Sequence, residues 1–246
     1  MNNKSDNKNS TSQPTHSADK ENVRTMFNDI APNYDFLNHF LSAGIDIQWR
    51  KKVRRILAHT NPKKILDVAT GTGDLAIELS KLNADQIVGV DIATEMLAIG
   101  REKITNKGLE KIIELEEGDA ENLLFPDNSF DAITVAFGVR NFENLNSGLK
   151  EMCRVLRPGG IVAVLEFSKP KAFPIKQLYN FYFRNILPIM GRTVSKSNAA
   201  YTYLPDSVRS FAEDDVFLAE LGQAGFKETK QNRLTMGIAT LYYATK

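Results

Sequence analysis

In KILDVATGTGDLAIEL, residues 64–79, a strand, a glycine turn and the start of a helix follow one another. Ile65, Leu66, Val68 and Ala69 make a short, nearly continuous apolar run, the pattern of a parallel strand covered on both faces. Gly71 and Gly73 break the run, and from Asp74 to Leu82 the apolar residues Leu75, Ile77, Leu79 and Leu82 return as a helix. Strand, turn and helix in that order put a ligand site at the carboxyl end of the strand. A residue without Cβ suits the turn because the ligand must come close to the backbone.

The glycines alone do not say which ligand. Gly71-Thr72-Gly73-Asp74-Leu75-Ala76 satisfies the loose dinucleotide pattern G-x-G-x-x-G/A, which many turns also satisfy. Asp67, just before the turn, would repel a diphosphate and attract an ammonium or a sulfonium. Asp91 ends the next apolar strand, Gln86 to Val90, where its carboxylate can accept both ribose hydroxyls or cap a helix beginning at Ala93. Gly118-Asp119-Ala120 follows a third strand, Ile112 to Glu116, where Asp119 can meet an adenine edge or close a turn. Taken together these residues describe a nucleoside with a cationic amino-acid tail, S-adenosylmethionine.

Working outward, strands and helices alternate, the sign of a parallel sheet. Met96, Leu97, Ile99 and Ile104 predict a helix, Phe130 to Phe137 a fourth strand, Leu145 to Leu156 a helix, and Ile161 to Phe167 a fifth strand. Arg157-Pro158-Gly159-Gly160 supplies a tight reversal between the last two. Val216 to Leu221 reads as helical, and strands are expected from Gly225 and from Met236 to Ala244. Upstream, Val23, Met26, Phe27 and Ile30 form a helix that Pro32 should end, with Tyr34, Phe36, Leu37, Phe40 and Leu41 beyond it. Asp46 to Leu57 is a further helix, with Trp49, Val53 and Ile56 on one face. Its Arg50, Lys51, Arg54 and Arg55 suit a solvated face, or contact with anionic lipid. Met1 to Asp19 is polar and aperiodic, the composition of a disordered tail. Residues 20–60 therefore form a helical cover on a single domain spanning 20–246. Ser168 to Phe211 is a long insertion rich in Phe and Tyr, expected either to add a helical layer or to wall a large apolar substrate.

Composition narrows the class. The chain has 246 residues, 42% hydrophobic and 25% charged, as in ordinary globular proteins. A net charge of +1 argues against a dedicated nucleic-acid binder. Cys153, the single cysteine, excludes an internal disulfide and falls in a helical pattern that buries it. His16, His39 and His59 lack metal-ligand spacing, so no metal is expected. No secretory signal or membrane span is apparent, which suggests a cytoplasmic protein that can still touch the inner membrane face.

Several further stretches resemble the ubiquinone/menaquinone biosynthesis C-methyltransferases, a branch of the class I S-adenosylmethionine-dependent enzymes. They are Tyr34-Asp35 with Leu37-Asn38, LSAGID with Trp49, LDVATGTGD, DIATEML, GDAENLLFPDNSFDAIT, FGVRNFEN, EMCRVLRPGG, VLEFSKP, ILPIMG, YTYLPDSVRSF and AGF. The resemblance runs from about Val23 onward. It implies an α/β, Rossmann-like fold whose seven-stranded sheet has an antiparallel last strand. It further implies that Thr70, Asp91, Asp119, Ala120 and the position of Ala136 line the pocket for S-adenosylmethionine, beside Asp67, Gly71 and Gly73. Relatives often carry glycine at Ala69 or Thr70, asparagine at Asp119 and serine at Ala136, and an acidic residue near Ser197.

The reaction so implied methylates a ring carbon of a prenylated quinol: demethylmenaquinol, or alternatively a 2-polyprenyl-6-methoxy-benzoquinol of the ubiquinone route. Deprotonating the ring hydroxyl would raise electron density at that carbon, which calls for a base or a cation favouring phenolate. Arg140, following the fourth strand, is the first candidate; the alternative for it is an ion pair with Glu143 or Asp35. Tyr34 is a second candidate to hold the hydroxyl. Three readings compete: an NAD-dependent oxidoreductase, a scaffold without turnover, and a nucleic-acid methyltransferase. Oligomeric state, including a homodimer, stays open.

Overall fold

The computed structural model describes residues 19–42, 44–186 and 199–246. The expected tail, the segment holding Leu187, Ile189, Met190 and Ser197, and the side chains of Leu37, Phe40, Leu41, Phe183, Ile186 and Tyr201 lie outside what is described.

Seven strands form one sheet: β1 (Lys64–Val68), β2 (Gln86–Asp91), β3 (Ile113–Glu117), β4 (Phe130–Ala136), β5 (Leu156–Phe167), β6 (Lys227–Leu234) and β7 (Ala239–Thr245). Their order is β3-β2-β1-β4-β5-β7-β6. The first five run parallel, and β7 enters antiparallel between β5 and β6. Order reverses beside β1: β2 and β3 lie on one side, β4 and β5 on the other. That switch point opens a crevice at the carboxyl ends of the strands.

The period of two along each strand divides the core into two layers. Ile65, Ile87, Ala132 and Ala163 face α2 (Ile45–Ala58), α3 (Asp74–Leu79) and α4 (Thr94–Asn106), which supply Trp49, Val53, Leu75, Leu79 and Leu97. Leu66, Val88, Ile133 and Val162 face α5 (Leu145–Val155) and α8 (Asp215–Gln223), which supply Leu149, Met152, Phe217 and Leu221. Cys153 is buried in this second layer. Strand β6 forms the sheet's outer edge, and its Lys227, Lys230 and Arg233 discourage pairing with another chain. Among the described residues no helix is long and apolar enough to cross a membrane.

Three local expectations are corrected. Helix α1 (Lys20–Leu41) does not stop at Pro32 but continues through it. Ile30 and Ala31 pack with Ala93 and Met96 at the start of α4, and Phe27, Tyr34 and Ile99 close around them. Burial on both sides of the proline outweighs the roughly 3 kcal/mol that a proline costs inside a helix. The Arg157–Gly160 reversal is absorbed into β5 rather than separating elements. Leu156 pairs with Phe130 and Ile161 with Ala132, so the intervening residues bulge out of the ladder. Arg50 does not belong to a solvated face: it is buried, bonded to Asp46 and 3.2 Å from Asp74.

The insertion contains α6 (Ile175–Phe181), a π turn over Tyr182–Ile186, and α7 (Ala199–Ser210). Helix α6 buries none of its residues, whereas Tyr203 and Ser207 of α7 reach the end of β4.

Candidate active site

An open cleft lies at the carboxyl ends of β1, β2 and β4. Six of the expected site residues line it: Tyr34, Gly71, Asp91, Asp119, Ala120 and Ala136. Gly71 has φ +56°, and a Cβ there would meet no atom within 4 Å, so its backbone faces open space. Ala69 also lines the cleft with φ +52°, in the left-handed region that favours glycine.

Of the two tasks that its position suggested, Asp91 performs the bonding at the start of the next helix. Its Oδ1 accepts the Ala93 N–H at the start of α4 and its Oδ2 accepts the Gly71 N–H, each at 2.8 Å. The carboxylate thus ties the glycine turn to the next helix, with its outer lone pairs turned to the cleft. Burial pushes this carboxyl up, and the Ala93 and Gly71 amides pull it back. At the other end Asp119 turns its Oδ1 to the Glu121 amide, 2.9 Å away, and its Oδ2 to Lys20 Nζ, 2.6 Å away. Lys20 lies 3.6 Å from Glu121 as well, which pins the start of α1 over this end.

Asp67, Thr70 and Gly73 stand behind the cleft wall rather than on it. Asp67 is buried, and its two oxygens accept the hydroxyls of Thr134 at 2.6 Å and Thr70 at 2.7 Å. Direct contact with a ligand's ammonium, as read from position alone, gives way to a supporting role. Burial pushes the carboxyl up to about 6, against the two hydroxyl hydrogen bonds. Gly73, at φ +76°, starts α3.

Arg140 sits in a single 3-10 turn, Val139–Asn141, just past β4. The expected partners Glu143 and Asp35 are not the ones it takes. Its Nη1 donates to Glu166 Oε1 at 2.7 Å and to the Phe137 carbonyl at 2.5 Å, and its Nε donates to Ser207 at 3.3 Å. The guanidinium carbon lies 5.6 Å from the Phe167 ring centroid. Asp35 instead accepts the Thr72 hydroxyl at 2.6 Å and Lys103 Nζ at 2.7 Å, and Lys103 also bonds Asp74. These bonds fasten α1 to the glycine turn.

Tyr34 is half-buried on α1, edge-on to Phe27 with ring centroids 6.1 Å apart. Burial pushes its phenol up, while the Asn38 side chain and the Arg140 charge pull it down. Sequence reading did not single out Lys20, Asn141 or Glu166. Asn141 lines the cleft and accepts the Tyr203 hydroxyl at 3.0 Å. Its signal was adjacency to Arg140 in FGVRN. For Glu166 the signal was a lone charge in the covered apolar run IVAVLEF.

Comparison with known proteins follows the same lines. The relative called demethylmenaquinone methyltransferase in Bacteroides fragilis is 47% identical over 227 residues, 92% of this chain and 93% of its own length. In Geotalea daltonii, the ubiquinone/menaquinone biosynthesis C-methyltransferase UbiE is 45% identical across 92% of this chain and 97% of its own. Among solved structures, the [4+2]-cyclase SpnF aligns with a TM-score of 0.68 at 19% identity, covering 92% of this chain and 96% of that one. A putative S-adenosyl-L-methionine-dependent methyltransferase from Methanococcus maripaludis aligns at 0.60 and 18%, covering 96% and 97%. At such identities the two structures speak for the fold alone. The model of the ubiE/COQ5 methyltransferase family matches residues 15–246. With that match and relatives this similar over nine-tenths of its length, the chain belongs to the ubiE/COQ5 methyltransferase family.

Proposed function

We propose that the chain methylates a ring carbon of demethylmenaquinol with S-adenosylmethionine as donor, completing menaquinol. The observation that carries this reading is the length and closeness of the match to relatives named for that reaction, at 43–47% identity from three bacterial groups. The cleft fits the donor in its own terms. Gly71 leaves backbone room, Asp91 offers carboxylate lone pairs suited to ribose hydroxyls, and Asp119 stands at the end suited to adenine. Ile92, Met96 and Ala120 give apolar walls for a base between them. Asp67, Thr70 and Gly73 hold the turn from behind. When bound, the donor supplies a methyl group already activated on a sulfonium.

The remaining work falls to this chain's side chains. Tyr34 and Arg140 would receive the quinol ring, the phenol orienting the ring hydroxyl and the guanidinium favouring its ionised form. Ala136 and Phe137 border the place where ring and methyl must meet, so alignment is set by the rigid end of β4. Exposed Phe173, Leu178 and Phe181 beside Lys171 and Lys176 support brief contact with an anionic membrane surface, where a polyprenyl substrate resides.

The second reading, methylation of a ubiquinone-route benzoquinol, is favoured by the name of the 45% identical Geotalea daltonii relative, which covers both quinones. Radiolabelled methyl transfer to demethylmenaquinol and to the benzoquinol, run side by side, separates them. Incorporation into the naphthoquinol alone is expected. Incorporation into the benzoquinol alone would replace the first reading with the second.

A further inference from the structure

Glu166 is the penultimate residue of β5, at 0% exposure, in a run that is otherwise apolar from Ile161 to Phe167. Burying a carboxylate costs several kcal/mol unless its lone pairs are matched. Here the matching is half complete. Oε1 accepts the Phe167 amide at 2.8 Å and Arg140 Nη1 at 2.7 Å, while Oε2 has no hydrogen-bond partner among the described residues. An unsatisfied buried acceptor next to a site residue is unfavourable for stability and calls for another explanation.

The pairing also changes what Arg140 can do. A guanidinium is too weakly acidic to serve as a base. Locked to a buried carboxylate, it is a poor cation too, because the pair carries no net charge toward a phenolate. Both difficulties disappear if the carboxylate takes up a proton when the phenolate forms.

We propose that Glu166 acts through Arg140 as the proton store of methyl transfer, its half-matched carboxylate taking up the proton that the ring hydroxyl gives up. The inference rests on the quinol-methylating reading above. The ring O–H bond breaks, its electron pair stays on oxygen, and Arg140 takes up that proton as its Nη1–H passes to Glu166 Oε1, so the guanidinium keeps its charge and the carboxyl becomes neutral. The ring carbon then bonds the methyl group as the S–CH3 bond breaks, and sulfur keeps that pair. The same carbon loses its hydrogen to solvent as a proton, and Glu166 returns its proton to the ring oxygen. One proton is released per turnover and Glu166 ends as it began.

The surroundings suit this role. Arg140 faces Glu166 from the turn after β4, Tyr203 from α7, and Tyr179 and Tyr34 lie around the Arg140 charge from α6 and α1. Neighbouring Ser168 and Thr240 are uncharged. Burial pushes the Glu166 carboxyl above the usual carboxylate range and Arg140 draws it back, which favours a group able to gain and lose a proton. Glu166 touches Arg140 rather than the cleft lining, so it is a positioning residue.

The test compares the full-length wild type with Glu166→Gln and Glu166→Asp. Gln keeps an oxygen for Arg140 and removes the charge; Asp keeps the charge one methylene shorter. For Glu166→Gln we expect kcat on demethylmenaquinol to fall about 10²-fold or more, with KM and the affinity for S-adenosylhomocysteine within about twofold. The acidic limb of its kcat–pH profile should flatten, and Glu166→Asp should restore part of both rate and limb. A readout without turnover uses 4-methoxy-1-naphthol with S-adenosylhomocysteine bound. Naphtholate should form on wild type without net release of a proton to solvent, and on Glu166→Gln only with release of one proton per site, read by calorimetry in buffers of different ionisation enthalpy. Equal proton release from the two proteins, or a slow Glu166→Gln enzyme with an unchanged acidic limb, would reduce Glu166 to scaffolding and overturn the inference. Should Glu166→Gln not fold, Glu166→Asp with wild-type rate and a shifted limb supports it, and Glu166→Asp with no shift refutes it. Wild-type methyl transfer in the same assay tests the underlying reading separately, since its absence there leaves the naphtholate comparison standing.

Discussion

Two strand-end carboxylates lie side by side in this sheet, Asp67 accepting two threonine hydroxyls and Asp91 two backbone amides. Both stood out in the sequence as charges at the ends of apolar runs. Their division of labour did not, because a strand position does not say which partners fold around it. Asp67 carries a testable cost. Its carboxyl titrates near 6 in the folded chain, against an ordinary value of 3.8. A raised value means that the folded state prefers the protonated form. That contribution is fully present below about pH 4 and is lost as pH rises through about 6, a swing of about 3 kcal/mol by linkage. Asp67→Asn abolishes the titration, so ligand-free Tm should exceed wild type by several degrees at pH 7.5 and converge with it below about pH 4. The variant should also bind S-adenosylmethionine several-fold more weakly, since the nearby negative charge is gone. Thermal melts across pH decide this, and parallel curves for the two proteins would reject it.

At the scale of elements, α1 departs furthest from its sequence pattern. The proline rule is local, whereas what carries the helix past Pro32 is contact with α4 more than sixty residues away in sequence, which no periodicity displays. The helix is then tied down at both ends of the cleft: Lys20 bonds Asp119, and Asp35 joins Thr72 to Lys103. Because Thr72 sits between the two glycines, the Asp35 bond transmits the position of the cover to the turn that approaches the ligand. Removing it should matter more for binding than for folding, since the Asp35–Lys103 pair is only partly buried and surface ion pairs contribute about 0–1 kcal/mol to stability. Asp35→Ala is expected to raise the Kd for S-adenosylhomocysteine about tenfold while lowering Tm by less than about 3 °C. Calorimetric titration and melting of the same samples check both halves. A variant with wild-type Kd would show that the turn needs no support from α1. The insertion between β5 and α8 was legible in its bounds and aromatic content, but its reach to Arg140 through Ser207 was not. One hydroxyl in a helix gives no clue about which neighbour it will meet.

For the molecule as a whole, the sheet was the most legible part. Continuous apolar runs identify covered strands, and the glycine turn after the first of them locates the switch point from which the crevice follows. Pairing order, by contrast, depends on contacts far apart in sequence: resemblance supplied the antiparallel sense of the last strand, but not its place between β5 and β6. The crevice so formed draws its lining from α1, the turns after β1, β2 and β3, and the end of β4, so a ligand there binds only when the sheet and its cover are both assembled. Such a ligand stabilises the folded state by RT ln(1 + [L]/Kd), about 2.7 kcal/mol at a concentration of 100 Kd. For a domain of this size each kcal/mol moves the midpoint by about 2–4 °C. S-adenosylhomocysteine at that concentration should therefore raise Tm by roughly 5–11 °C, and the rise should grow with the logarithm of its concentration. NADH at equal concentration should leave Tm within about 1 °C, because a diphosphate would lie beside Asp67 and Asp91 with no added cation to offset them. Stabilisation by NADH with none by S-adenosylhomocysteine would reassign the crevice to a dinucleotide. Equal shifts from both would mean that the two carboxylates do not select the ligand by charge.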